Sequence, residues 1–437
     1  MRGKHVLFDL PLPVGWTVRN VDSIRSPEQH SCVAGPFGSS ISSKYFVEEG
    51  VPVIRGSNLT DDLTRFVPSG LVFVSHEQAT KYKAQHVRAD DLVFTCWGTV
   101  GQVGLIPRGG PYSEYIISNK QLKLRPKKDV ADPEYLFYYF ASPQMVAHIR
   151  GRAIGAAVPG INLGILKALE VVLPPLDTQR RIASILSAYD DLIENNTRRI
   201  AILEEMARRI YEEWFVRFRF PGHEQVKRVE SDLGLIPEGW KVVAASDAIT
   251  ISPKVRVPKE GLKPFVPMGS LSETSMLIAD IEEREGNSGS KFQNGDTLFA
   301  RITPCLENGK TGFVQFLPSH DAVAFGSTEF IVLRSRALCP EYVYALARSD
   351  EFRANAIKSM SGATGRQRVK EACFDAFLLA QPDAETLQRY REIVQPMFAM
   401  IRKLAAKNAN LRATRDLLLP KLISGELDVS KLPEPTV

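Results

Sequence analysis

The chain has 437 residues, enough for two or three domains with their own cores, and its 44% hydrophobic and 24% charged residues exclude a disordered or fibrous polymer. A formal net charge of +5 is too small to point to nucleic acid by excess alone. No apolar run has bilayer-spanning length, "MRGKHVLFDLPLP" is too short and interrupted for an expected secretory signal, and five scattered cysteines (Cys32, Cys96, Cys305, Cys339, Cys373) without a C-x-x-C pair favour a reducing compartment over a disulfide frame or zinc ribbon. The seven histidines form no paired-ligand spacing, so no metal site is expected.

In chain order, "LPVGWTV" at residues 12–18 reads as a turn followed by a strand start. Short β-like runs follow, "VPVIRG", "LVFV" and "DLVFTCW", and then a short helix beginning near Pro133, where proline suits a first helical turn. Pro174-Pro175 and the N-cap candidate Asp177 open a long helix expected over Asp177–Phe218. Its apolar stripe is Ile182, Ile185, Leu186, Tyr189, Leu192, Ile193, Ile200, Leu203, Met206, Ile210 and Trp214, with Asn196 as a polar member.

"IPEGWKV" at residues 236–242 then begins the same series again, with Trp240 standing 224 positions after Trp16. "DDLVFTCWGTVG" from Asp90 is echoed by "GDTLFARITPC" from Gly295, and "SNKQLKLRP" from Ser118 by "STEFIVLRS" from Ser327. "DPEYLFYYFASPQM" is echoed by "CPEYVYALARSDEF"; Pro133 and Pro340 differ by 207, as do Pro175 and Pro382. Five echoes in one order imply two copies of a unit of about 200 residues. The second copy ends in a second long helix, expected over Asp383–Leu419, with the stripe Leu387, Tyr390, Val394, Met397, Ile401, Leu404, Leu411 and Leu418. Asn408 and Arg415 are its polar members, and Pro396 is expected to bend it or to leave one hydrogen bond unmade.

Helices of about 40 residues exceed what one domain core needs, so each is expected to use the other as a partner, antiparallel because the second must return towards the first domain. The expected fold class is α+β, with two mixed α/β domains related by a pseudo-two-fold and separated by a coiled coil of the two helices. The expected boundaries are 1–176 for the first domain, 177–220 for the central helix, 221–382 for the second domain, 383–424 for the second helix and 425–437 for a tail. Two similar heads on a spacer suit a two-fold ligand such as duplex DNA.

On "GPFGSSISSKYFVEEGVPVIRGSNL" from Gly35, "VPGINLGILKALEVVLPPLDTQRRIASIL" from Val158, "LLLPKLISGEL" from Leu417 and the two Pro-x-Gly-Trp openings, the chain resembles the specificity subunits of type I restriction-modification systems over essentially its whole length. The resemblance implies two variable target-recognition domains for double-stranded DNA and no catalysis by this subunit. It also implies partnership with two methyltransferase subunits and, in the full complex, with two restriction (translocase) subunits, in the cytoplasm. No cofactor is expected in this chain; S-adenosylmethionine is expected in the partner methyltransferase. The second copy departs from the pattern, with "LAQPDAETLQ" where the first has "LPPLDTQ" and "SGATGRQRVKEA" where the first has "GAAVPGINLGIL".

Base edges are read by Arg, Lys, Asn, Gln and hydroxyl side chains, and phosphates are gripped by cations and backbone N–H groups. The glycine-rich loop Gly35–Lys44 and "IRGSNLT" make Lys44, Arg55, Ser57 and Asn58 candidates in the first head, with Lys81, Lys83 and Trp97 behind them. The second head offers Lys254 and Arg256, Arg301 and Lys310, and the cluster Arg366, Gln367 and Arg368 beside Gly362 and Gly365. Residues 1–176 carry 19 basic against 15 acidic residues and residues 221–382 carry 19 against 20, so any basic face must come from arrangement. No glycine-rich S-adenosylmethionine loop, Asn/Asp-Pro-Pro-Tyr motif or Walker sequence supports an enzyme. The alternative is a coiled-coil scaffold whose heads bind a protein or glycan.

Overall fold

The computed structural model describes residues 4–38, 40–155, 158–363 and 365–432; Ser39 of the first-head loop, Ala156 and Ala157, Thr364 and the last five residues of the tail lie outside the described residues. The chain divides into two units, Met1–Ile193 with Asn410–Val437, and Glu194–Ala409.

In the first unit Thr17–Asn20 pairs antiparallel with Glu170–Leu173. A four-stranded antiparallel sheet has the order Cys32–Ala34, Gln121–Leu124, Leu92–Thr95, Val103–Leu105. A five-stranded sheet has the order Phe46–Val47, Val72–Val74, Val51–Ile54, Tyr115–Ile117, His86–Val87, with Val51–Ile54 and Tyr115–Ile117 parallel. The strands "LVFT" and "YII" are buried on both faces, which is why the sequence shows continuous runs there and not alternation; "QLKL" is buried as fully although it alternates. Helix Pro133–Ala141 is core over its whole middle, burying Tyr135 through Phe140. Asp132 caps it by accepting from Tyr135 N–H at 2.9 Å, and Ser142 caps Pro143–Arg150.

The second unit repeats this topology. Lys241–Ala244 pairs with Leu378–Gln381. One sheet runs Ile249–Ile251, Phe330–Ser335, Thr297–Ala300, Thr311–Phe313, and the other Glu282–Arg284, Lys263–Val266, Val323–Gly326, Ser290–Gln293. Again one inner pair of the sheet is parallel, Lys263–Val266 with Val323–Gly326. Helices Pro340–Arg348 and Asp350–Lys358 follow. The units differ where chain is inserted: helix His76–Thr80 lies between two strands of the first unit, where the second has only residues 285–289.

Each unit also repeats one buried ion pair. Asp91, 1% exposed, receives Arg125 through two bonds of 2.8 and 2.7 Å. Asp296, also 1% exposed, receives Arg334 through bonds of 2.7 and 2.6 Å. Both pairs join the strand after the "DD" or "GD" turn to the strand ending in "LR", so the sequence echo is a repeated electrostatic bolt.

The first long helix is Leu176–Tyr211, with a single π-turn over Glu212–Val216. The second is Ala384–Ser424, continuous through Pro396. In the second unit the two helices are antiparallel neighbours: Trp214 meets Tyr390 at 6.0 Å between ring centroids, and Asn196 donates to Asn408 at 2.8 Å. In the first unit Arg415 pairs with Asp190. The expected stripes are partly wrong in phase. Leu192 and Met206 are 44% exposed while Ala183, Ala207 and Tyr211 are buried, and Phe398 is buried in place of Met397. Each helix must face its head as well as its partner, so its buried face is wider than one stripe.

The repeated Pro-x-Gly-Trp corner seats a helix end in each unit. A side chain at Gly425 would meet the Trp16 ring at 3.2 Å and Pro13 at 2.4 Å, and Gly425 takes the left-handed conformation (φ +76°) that ends the second helix. In the second unit Trp240 stacks on Phe220 at 5.3 Å, just beyond the first helix, and its indole N–H donates to Asp383 at 3.2 Å.

Candidate nucleic-acid interface

In the first unit one turn, Ser118–Lys120, gathers the predicted loops. It links a strand of the five-stranded sheet to one of the four-stranded sheet. Ser118 N–H donates to the Ile54 carbonyl at 3.2 Å, so Arg55 begins beside it. The Asn119 side chain donates to the Gly38 carbonyl at 2.8 Å, holding the Gly35–Lys44 loop. Cys96 N–H donates to the Lys120 carbonyl at 2.8 Å, which places Trp97 next in line. Gly35 serves this packing: a Cβ there would lie 1.8 Å from the Ser118 oxygen. Its smallness is used within the protein, not for approach to a phosphate.

Lys44 is exposed, with its ammonium 4.7 Å from the Tyr45 ring centre. Lys81 and Lys83 are exposed beside the same loop, because Tyr82 between them donates to the Ser40 carbonyl at 2.7 Å. Ser57 is exposed. Trp97 is 41% exposed and lies over Gly160, where a Cβ would come within 2.3 Å of its ring. Two candidates have inward tasks. Arg55 donates to the Gly70 carbonyl at 2.7 Å. Asn58 is fully buried: its oxygen accepts from Arg55 N–H at 2.9 Å, and its amide nitrogen donates to the Val67 and Ser69 carbonyls. Asn58 is therefore corrected from a base reader to the residue that shapes the segment.

The second unit builds the same arrangement on Ser327–Glu329. Ser327 N–H donates to Val266 and Arg301 N–H to the Glu329 carbonyl, each at 3.0 Å. The loop carrying Arg366, Gln367 and Arg368 closes over the strand end: Ile302 and Ser361 both bridge to Arg368, as Trp97 and Ile154 bridge to Gly160 in the first unit. Arg366 is exposed, and Gln367 is held by Thr303, whose N–H donates to the Gln367 carbonyl at 3.1 Å and whose hydroxyl accepts from the Gln367 N–H at 3.2 Å. Arg368 is held by Glu329 at 2.6 Å, and it keeps the Glu329 carboxyl below the ordinary range. Arg301 donates to the Val369 carbonyl at 3.2 Å and faces Glu371 at 3.6 Å. Half-buried Arg301 thus helps to fix the loop, Arg368 stays exposed beside Glu329, and Arg366 is an outward cation. Lys254 and Arg256 are exposed on the segment before Lys263–Val266; Lys310 is half-buried at the start of a hairpin strand.

Arrangement supplies what composition lacks. Arg125 and Arg334 are spent on buried aspartates and Arg65 on Glu134 and Asp191. Lys44, Lys81, Lys83, Lys120 and Arg152 of the first unit, and Lys254, Arg256, Lys310 and Arg366 of the second, make no ion pair among the described residues. Exposed Asn119, Lys120 and Arg152 were missed in the sequence reading. The echo of "SNKQ" by "STEF" already placed the turn in register and was the available signal.

Lys123 supports the extra elements of the first head from below. It is 2% exposed and donates to the Ala84 and His86 carbonyls, both at 2.8 Å. Val332 holds the matching position in the second unit, which lacks those elements. Burial pushes the Lys123 ammonium down to about 8. The unfolded chain therefore binds the extra proton between pH 8 and about 10.5, and stability rises with pH across that window. Wild type should gain on the order of 3 kcal/mol relative to Lys123→Met from pH 8 to 10.5. Urea unfolding across this range checks it; parallel curves for the two proteins would remove Lys123 as the cause.

Comparison with known proteins agrees with this architecture. A model of the type I restriction modification DNA specificity domain matches residues 38–205. The chain is 30% identical to the type I restriction enzyme MjaVIII specificity subunit of Methanocaldococcus jannaschii, over 72% of this chain and 75% of that one. It is 25% identical to the MjaIX specificity subunit of the same organism, over 96% and 95%. The crystal structure of a type I restriction-modification S subunit from M. genitalium superposes with a TM-score of 0.56 over 95% of this chain and 98% of that one, at 14% identity, a likeness of fold.

Proposed function

The chain belongs to the type I restriction-modification specificity subunits, whose task is DNA sequence recognition, and we propose that its two units read the two halves of a bipartite, asymmetric target. The observation that carries this reading is the repeated topology with divergent loops. The same turn gathers the loops in both units, yet one presents Lys44, Ser57, Lys81, Lys83 and Trp97, and the other Lys254, Arg256, Lys310, Arg366 and Gln367. Different side chains on one scaffold call for different half-sites.

In this proposal the long helices set the number of unread base pairs, and their surfaces dock two methyltransferase subunits. The start of the first helix supports the docking role, since Pro174, Pro175 and Leu176 line an open groove with Gly15, Thr17 and Arg19. The chain performs no chemistry of its own. S-adenosylmethionine and base extrusion belong to the methyltransferase, and restriction subunits join the complete assembly in the cytoplasm. No helix among the described residues is long and apolar enough to cross a membrane.

Modification-sensitive sequencing of DNA from cells expressing this chain with its methyltransferase tests the proposal. A two-part asymmetric motif with a fixed gap, present only when this chain is present, is expected. No new methylation despite a stable complex would overturn it and favour a scaffold that binds protein or glycan.

A further inference from the structure

The loop that follows the first strand of the four-stranded sheet carries an exposed apolar residue in both units. In the first it is Phe37, 96% exposed; in the second it is Leu262, 67% exposed. Scattered surface hydrophobics are normal, but a phenylalanine with almost its whole surface in water is not. Both stand beside a glycine in the left-handed region with open space around it, Gly38 (φ +60°) and Gly261 (φ +79°). The backbone at Phe37 is tethered: its carbonyl accepts from the Ser40 hydroxyl at 2.6 Å, and Asn119 holds the Gly38 carbonyl at 2.8 Å. The loop thus presents the ring outward from the same turn that gathers Lys120, Ser57 and Trp97, with Lys44 on the loop itself.

We infer that Phe37, and Leu262 in the other unit, are apolar wedges that insert against a base step of duplex DNA and unstack it. The inference rests on the DNA-reading role proposed above and deepens it: target choice then includes how readily a step opens, besides which base edges it shows. The unpaired lysines around the loop favour a polyanion over an apolar protein surface as the occupant.

The test uses the full chain in complex with its methyltransferase and duplexes of the mapped target with 2-aminopurine placed at each position in turn. For wild type, fluorescence should rise at one step within the half-site read by the first unit. Phe37→Ala should abolish that rise and weaken binding roughly tenfold, with an unchanged salt dependence because no phosphate contact is lost. Phe37→Trp should retain both. Leu262→Ala should act in the other half-site. The rise at the base extruded for methylation persists in every variant and serves as internal control. Wild-type affinity and fluorescence in Phe37→Ala would overturn the wedge while leaving the methylated motif intact. Loss of methyltransferase co-purification in that variant would reassign the ring to a protein contact. Absence of any specific duplex binding by wild type would overturn both readings.

Discussion

Asp91→Ala is expected to cost about 3–5 kcal/mol, the range for removing one partner of a buried ion pair, and to unfold the first unit at physiological temperature. Asp91 is 1% exposed and Arg125 14%, so the arginine would keep its charge in a poorly solvated place with only the half-exposed Glu28 to answer it. The Arg88 N–H, which donates to the same carboxylate at 3.0 Å, would also lose its partner. Charge burial and not lost contact drives the effect, so replacing both groups with apolar residues, Asp91→Leu with Arg125→Met, should recover most of the stability. Asp296→Ala should act in the same direction in the second unit, less strongly, since Arg334 is 29% exposed. Denaturant unfolding of the three variants measures this. A cost below about 1 kcal/mol for Asp91→Ala would show the pair to be a surface-like bridge. The consequence for recognition is direct: each pair joins the two strands whose ends carry Trp97 and Lys120, or Arg301 and Glu329.

That pair shows what a sequence can reveal about such a protein. The echo from Asp90 to Gly295 and from Ser118 to Ser327 was visible without coordinates, and it located both strands and both bonded residues in register. The repeat was legible because strand runs, proline helix starts and the Pro-x-Gly-Trp corner are local signals. The faces of the long helices were less so. Ala183 and Ala207 are buried through tertiary packing that no hydrophobic periodicity announces, and exposed Leu192 and Met206 imitate a stripe. The binding residues were hardest, because a long polar side chain has the same sequence signature whether it faces solvent or the protein. Arg366 and Arg301 both looked like free cations, yet Arg366 is exposed while Arg301 is half-buried and donates to the Val369 carbonyl.

Lengthening both long helices by four residues is expected to abolish methylation of the native target and to create a new one with the same half-sites and a gap about two base pairs longer. One added helical turn is about 6 Å, against roughly 3.4 Å for each base pair. The points of insertion follow from the division of the chain, after Ile193 in the first helix and after Ala409 in the second. Insertions there leave the contacts within each unit untouched. Asp190 keeps Arg415 in the first, and Asn196 keeps Asn408 in the second. Four residues turn a helix about 40° beyond a full turn, a rotation that an apolar pairing tolerates better than the half-turn produced by two. Inserting in one helix alone should abolish modification without creating a new motif, since the two helices would no longer match in length between the units. Sequencing of modified DNA reads all three results at once. An unchanged gap in the double insertion would show that the distance between half-sites is fixed by the methyltransferases and not by this chain.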